Sequence, residues 1–493
     1  MDSTDTTPDE PIDKERTWKA GKLDPMPIRK LPAAPPAIHI LGPTVFLIAL
    51  GVGMGEAYMW PRLVLVFGED IRWLFTIGVT LQAFVMLEMA RYAMATGESI
   101  FMGAARVFKP LMWFFFIAAL LIYIWPGHLS AGASAFEQMT GIPWQVSAIV
   151  AMLFVGVLFS ALKQIYDTVE KVLGLLIGLL VVGSAVIAAI VGTWQDLADT
   201  ITGMFAFGFM PDEALTAAWF PIIVGGIAFA GPSGMQQMWY TLQLRDSGAA
   251  MGAHIPKVRG LAHATEGEEM PDRGYMVDTE DPQEMEKWKA WRKWVTFDAI
   301  ALFWGITVLV TISFTVLALA AERENPNVRT LIENDEQDAA LQAMSDAFAQ
   351  AGGPVLGAVF FGFIAVIGLN ATLGLFDSFS KGQADMTYFF VPGAKKFNMS
   401  QIYAMFLWGV IIFGIGILLF GPADGPQSIL DTLAFLSTFA MGCYCVVLLL
   451  VNNRMLPKPI RPGIVRNIII GAAALFYLGM LFYSLFNFGV VVS

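Results

Sequence analysis

Long apolar runs alternating with polar stretches set the pattern of this chain. Runs near or above the roughly 20 residues that a helix needs to cross a bilayer fall near 38 to 67, 72 to 93, 110 to 133, 144 to 165, 172 to 192, 218 to 243, 296 to 321, 355 to 380, 401 to 420, 428 to 451 and 464 to 491. Only helices and closed barrels satisfy the backbone inside hydrocarbon, and these runs are too long for barrel strands. The expected class is therefore an all-α integral membrane protein with about 11 transmembrane helices. The pattern divides into a polar tail over 1–37, helices one to five over 38–192, helices six to ten over 218–451 and a last helix over 464–491. Two polar loops, 244–295 and 322–353, interrupt the second group.

Composition agrees: 56% of the 493 residues are apolar and only 14% are charged, too few for the surface of a soluble chain of this length. The net charge of -11 comes from acids lying mostly in loops, and no basic face marks a nucleic-acid partner. Alternating the helices puts the basic residues of the tail, of loop 244–295 and of the turns after helices two, four, eight and ten on one side. Only Arg62, Arg72, Arg323 and Arg329 remain on the other. By the positive-inside rule the N-terminus is cytoplasmic and the C-terminus outside, with a bacterial inner membrane as the expected location. The first residues lack the basic start and apolar core of a cleavable signal peptide. Cys443 and Cys445 do not face each other on a helix and read as buried small side chains. Trp288, Trp291 and Trp294, spaced by three between lysines, read as an interfacial anchor leading into helix seven. Loop 322–353 reads as partly helical, stopping at Gly352 and Gly353.

Two runs are interrupted in corresponding places. The first carries Gly53, Met54, Gly55 and Glu56 with Pro61 beyond, and the sixth carries Gly231, Pro232, Ser233 and Gly234. These are the first helices of two successive groups of five, and paired interruptions of that kind point to a transporter site between repeats. The competing explanation is that small residues let helices pack closely. Glu56 is the sharpest residue, since a carboxylate inside an apolar span must be paired, protonated or coordinated. It is expected to bind the substrate or a coupling ion, the alternative being a structural cap.

Taken in order, these motifs resemble the Nramp family of divalent-metal transporters. Gly42-Pro43 opens the first run, so GMGE at 53 to 56 falls on the family's Asp-Pro-Gly-Asn and GPSG at 231 to 234 on its Met-Pro-His-Asn. ATGES from 95, GIPW from 141, YDTVEKV from 166, IGLNATLGLF from 367 and NNRMLP from 452 continue the likeness over about 40 to 460. The resemblance implies a LeuT-type fold, a 5+5 inverted repeat with helices one and six broken, and a metal cargo. It also implies substrate-binding roles for Gly53, Gly55, Glu56, Gly231, Ser233 and Gly234.

The departures reshape that site. The metal-binding aspartate falls on Gly53, the asparagine on Glu56 and the methionine on Gly231. The histidine of the break falls on Ser233, the histidine one turn on becomes Met238, and a glutamine of helix ten falls on Ala434. Losing a thioether argues against soft transition metals. The oxygens of Glu56 and Ser233, the two expected metal ligands, would suit a hard divalent cation such as Mg or Mn, or a solute that is not a metal. The acidic residue of the family's proton path falls on His128 in WPGHLSAG, a coupling group or else a satisfied buried imidazole. Asn370 and Thr372 are candidate sodium ligands, Asp377 with Lys381 at i+4 is a candidate salt bridge or else part of the coupling-ion path, and Glu88 with Arg91 an interfacial pair.

The expected function is secondary active transport by alternating access, most simply of a divalent cation, coupled to a proton or sodium gradient because no phosphate-binding loop is present. An ion-coupled carrier of a small organic solute is the alternative, with Tyr58, Trp60, Trp125, Trp239 and Tyr240 near the breaks unless they are ordinary packing. A channel or sensor is a third reading, weakened because the polar residues cluster at mid-depth. His39, His128, His254 and His263 form no HExxH pair, and no catalytic constellation is visible. No cofactor is expected beyond a bound Mg, Mn or sodium ion as substrate or coupling ion. The partners are lipid and a small solute, and the oligomeric state stays open, with a monomer the simplest case.

Overall fold

The computed structural model describes residues 16–35, 48–49, 51–161, 165–257, 270–334, 338–421 and 425–488. Gly42-Pro43, His39 and His263 lie outside them. Among the described residues nine helices are long and apolar enough to cross a membrane. Two further crossings are broken helices, which completes the eleven expected from the apolar runs.

Span one is described from its centre, where a π-helical turn, Gly55–Met59, runs into the helix Trp60–Phe67. Span two is Trp73–Thr96, closed by Gly97 in the left-handed conformation, and span four is Trp144–Ala161. Span five is Ile165–Val191. Span six consists of Phe220–Ala228 and Gln236–Asp246. Span seven is one rod over Pro282–Glu324 with a π-helical stretch at Asp298–Trp304. Spans eight to eleven are Pro354–Phe390, Met399–Phe420, Pro426–Arg454 and Ile464–Asn487. Loop 322–353 holds helices Val328–Glu333 and Ala339–Gly352, ending at Gly353 with φ 92°. That stop is where the glycine pair placed it.

Three features depart from the sequence reading. Span three is itself interrupted: Lys109–Tyr123 ends before Pro126, and a second helix, Gly127–Thr140, starts there. Proline lacks the amide and its ring crowds the preceding turn, and here the chain gives way just before His128.

The tail is not merely polar. β1 (Thr17–Trp18) pairs antiparallel with β2 (Met26–Arg29), which pairs parallel with β3 (Met276–Val277) of the long loop. This small sheet is the exception to an all-α fold among the described residues. Arg16 reaches Asp278 at 2.6 Å, Trp18 Nε1 donates to the Met455 carbonyl at 2.8 Å, and Arg106 Nη1 donates to the Ala20 and Asp24 carbonyls. Arg106 also clasps Glu98, which accepts from Tyr92 and from the Gly274 amide. Burial alone would raise the Glu98 carboxyl, but Arg106 and these donors outweigh it and hold it below the usual carboxylate range.

Finally, Trp288, Trp291 and Trp294 do not face lipid. All three are buried in the protein, and Trp291 Nε1 donates to the Pro32 carbonyl at 3.0 Å. The tail covers the face that the spacing had assigned to lipid.

Candidate functional site

The two interruptions pack directly on each other. A methyl group on Gly51 would stand 2.4 Å from the Pro232 nitrogen, and one on Gly55 would stand 2.1 Å from the Phe229 carbonyl oxygen. Backbone meets backbone there, and no larger residue fits. Close packing therefore accounts for Gly51 and Gly55. It does not account for Gly53, where a methyl group would find ordinary contacts: Ala371 Cβ at 3.5 Å, His128 Nδ1 at 3.9 Å and Ile367 at 4.0 Å. Gly53 thus faces His128 of span three and the middle of span eight.

Glu56 is fully buried. Its Oε2 accepts from the Gly53 amide at 2.8 Å, capping the second half of span one, so the structural alternative is realised for one oxygen. Its Oε1 is buried and accepts no hydrogen bond, and among the described residues no Lys or Arg pairs with this carboxylate. The His128 ring stacks on Phe229 at 5.0 Å and 7°, with both nitrogens buried and unpartnered. It is therefore not a satisfied imidazole. His128 and Thr372 line a cavity of about 20 Å³, with Tyr123, Trp125 and Phe379 among its walls, room for one water.

In span six the break rests on Gly231 at φ 127° and Gly234 at φ 55°, conformations that favour glycine. The Tyr123 hydroxyl donates to the Ser233 carbonyl at 3.0 Å and accepts from the Met235 amide at 2.9 Å, bridging the unwound turn. Gln82 Nε2 donates to the Ala228 carbonyl at 3.0 Å, and Tyr444 fixes Gln237 beside it. These partners satisfy backbone groups that the break releases. The Ser233 hydroxyl lies 3.4 Å from Gln236 Nε2. Among the described residues no three His, Cys, Asp or Glu side chains stand together as a ready metal cluster.

In span eight Asn370 is buried with both amide atoms unpartnered, while the Thr372 hydroxyl donates to the Gly368 carbonyl at 2.7 Å. Asp377 belongs to an ion cluster instead. Lys381 lies 2.9 Å from Asp377 and 3.2 Å from Asp246, and Gln243 and Tyr403 donate to Asp377. Arg245 holds Asp385 at 2.5 Å one turn on, and Ser99 donates to the same carboxylate. The expected pair Asp377–Lys381 forms, but the sequence reading missed Asp246 and Asp385, which only the fold brings beside it.

On the side away from the tail, Arg62 of span one pairs with Asp431 of span ten at 2.9 Å, both buried. Its guanidinium lies 5.3 Å from the Trp219 ring, and the Gln427 amide bridges it to Tyr58. The sequence offered one signal for this closure, a carboxylate at position 431 near the start of an apolar run. The five aromatics near the breaks are mostly engaged in the bundle: Tyr58 with Gln427, Trp60 edge-on to Phe75, Trp239 against Tyr123 and Phe379, and Tyr240 donating to Asp298. Glu88 and Arg91 do pair, buried rather than interfacial.

Comparison with solved structures gives the fold. The chain is similar to a mutant of the Eremococcus coleocola manganese transporter, with a TM-score of 0.65 and 13% identity over 94% of this chain and 92% of that one. It is similar to the nucleobase-cation-symport-1 family transporter Mhp1 with bromovinylhydantoin bound, with a TM-score of 0.51 and 12% identity over 92% and 94%. MhsT in complex with L-phenylalanine gives a TM-score of 0.51 and 13% identity over 93% and 100%. No family model and no curated protein matches. The architecture is the LeuT-type fold that the ordered motifs implied.

Proposed function

We propose that the chain is a secondary transporter working by alternating access, with a small cation as cargo, a divalent ion of hard type such as Mg or Mn. The observation that carries this reading is Glu56. A carboxylate at the crossing of two broken helices, with one oxygen capping Gly53 and the other unpartnered, can ionise in this medium only against a positive charge. A cationic cargo supplies it. With no three-ligand cluster among the described residues, such an ion would keep several waters and draw on backbone carbonyls, with Ser233 the other side-chain oxygen of the breaks. That is the chemistry of hard cations rather than of thiolate or thioether sites. His128, next to Gly53, is the proton-coupling group of this reading, and Asn370 with Thr372 its sodium alternative. The basic tail side is cytoplasmic, with the protein in a bacterial inner membrane.

A second reading keeps the fold and replaces the metal by a small organic solute. It draws on the same missing cluster and on Gly53, which stands where the resemblance places a metal ligand. The two separate in one experiment, the thermal stability of the purified protein against Mg, Mn, Ca and a panel of organic cations and amino acids, with and without sodium. A ligand of the folded state at about 100 times its Kd adds roughly 2.7 kcal/mol. A divalent-specific shift that Glu56→Gln removes supports the cation carrier. A shift from an organic solute with none from metals refutes it, and flux without saturation or countertransport would mean a channel.

A further inference from the structure

On the tail side, where spans two, seven and eleven meet, the protein has an open recess of about 560 Å³ whose wall carries Arg91, Arg292, Lys293 and Arg466 and, among the described residues, no carboxylate. Glu88 lies behind that wall, 2% exposed. It accepts from Arg91 at 2.6 and 3.0 Å and from Arg466 at 3.0 Å, while Arg292 approaches it at 3.7 Å and is held by the Leu87 carbonyl at 2.8 Å. Asn452 donates to the Glu88 carbonyl, tying span ten to the same point. One buried carboxylate thus orients three guanidinium groups without neutralising them. Lys293 is exposed and makes no ion pair among the described residues.

The other part of the wall is apolar. Phe297 and Ile300 are 48% and 41% exposed on the same helix, with Ala301 beside them. From Lys293 to Ile300 the helix rises roughly 10 Å, about the step from a headgroup to the upper acyl chain. Cations at the rim and open hydrocarbon one to two turns deeper make a surface that matches an amphiphilic anion.

We infer that this recess binds an anionic phospholipid, its phosphate between Lys293, Arg466 and Arg292 and its acyl chain along Phe297 and Ile300. Basic pockets between transmembrane helices take phospholipid headgroups by the same physics. A soluble phosphate would meet the cations but leave the apolar wall unused. The site lies apart from the two breaks and does not depend on what the transporter carries.

The test uses the full-length protein, delipidated in detergent and titrated with phosphatidylglycerol and with phosphatidylcholine while bound lipid is counted by native mass spectrometry. Phosphatidylglycerol should be retained over phosphatidylcholine. Removing a cation near an anionic headgroup is worth about fivefold in affinity, so Lys293→Gln should lose about that and Lys293→Gln with Arg466→Gln roughly 30-fold. Lys19→Gln with Lys396→Gln removes the same charge from exposed positions that do not line the recess and should change nothing. Lys293→Gln alone keeps the test valid if the Arg466 variant proves unstable. Equal retention of the two lipids, an unaltered titration in Lys293→Gln, or displacement of the lipid by glycerol 3-phosphate at comparable concentration would each overturn the inference.

Discussion

Three glycines in five residues of span one, Gly51, Gly53 and Gly55, face different surroundings, and alanine at each should give different results. At Gly55 a methyl group would stand 2.1 Å from the Phe229 carbonyl oxygen and 3.0 Å from the Phe229 side chain. Restoring ordinary contact requires moving one broken helix against the other by about 1 Å. Overpacking of this kind costs roughly 1–3 kcal/mol when side chains can yield, and here the obstacle is backbone. Alanine at a helical position returns at most about 1 kcal/mol of propensity, so Gly55→Ala should lose at least about 2 kcal/mol on balance. Gly51→Ala meets the Pro232 nitrogen at 2.4 Å and its ring at 2.6 Å, and belongs with it. Gly53→Ala meets nothing closer than 3.5 Å and should fold as the parent does, while narrowing the space beside His128. Thermal unfolding of the three variants, followed by size-exclusion chromatography in one detergent, reads these differences. Equal stability of Gly55→Ala and the parent, or a Gly53→Ala protein as damaged as Gly55→Ala, would refute the packing on which the site is built.

Other perturbations follow from the same geometry. Tyr123→Phe removes the hydroxyl that joins the Ser233 carbonyl to the Met235 amide, leaving two buried groups unpartnered at about 1–3 kcal/mol each. Its unfolding midpoint should fall and its span six break should exchange amide hydrogen faster. Lys381→Met leaves Asp377 and Asp246 facing each other without their cation, a loss of roughly 3–5 kcal/mol that Asp377→Asn in the same chain should partly restore in a stability assay. The Asp278 carboxyl is held below its ordinary value, burial being outweighed by Arg16. The contribution of that clasp is full at neutral pH and lost as pH falls through the lowered value, below about 4. Asp278→Asn should mimic the acid form at neutral pH and speed tryptic cleavage at Lys19 and Lys22, while unchanged cleavage would count against the clasp.

Much of this architecture could be read from the apolar runs, because hydrocarbon leaves so few backbone solutions. The paired breaks were legible for the same reason: Gly231, Pro232 and Gly234 cannot continue a helix gracefully, and the structure unwinds there. What escaped the reading was long-range pairing. Asp246 and Asp385 end up beside Lys381 and Arg245 only when span six lies along span eight, and no local pattern encodes that. The tail escaped for a different reason. Met26–Arg29 is too short to show a strand period, and its partner, Met276–Val277, lies about 250 residues away. With that sheet missing, the spacing of Trp288, Trp291 and Trp294 pointed to lipid, although helices bury tryptophan against protein with the same period. The place of His128 beside Gly53 and its unpartnered ring nitrogens had no local signal, since both depend on how spans one, three and eight pack.

The ion pairs on either side of the breaks bear on how the bundle could move. Away from the tail, one buried pair, Arg62–Asp431, joins span one to span ten, assisted by Trp219 and Gln427. On the tail side Lys381, Asp377, Asp246, Arg245 and Asp385 join spans six and eight. The Glu98–Arg106 pair and the three-strand sheet tie the tail to the loops beyond them. The proposed alternating access requires each side to open in turn. Separating a buried pair leaves a charge that must be rehydrated at several kcal/mol unless water enters with the movement. Among the described residues, opening away from the tail separates one such buried pair, whereas opening on the tail side separates a cluster and releases a sheet. The ligand-free protein is therefore expected to favour opening away from the tail. A cysteine at Tyr58 should react with a thiol reagent added from that side faster than one at Thr241 reacts from the tail side. Arg62→Gln should widen the difference, and equal rates at the two positions in the parent would show that the two closures do not differ as their ion pairs imply.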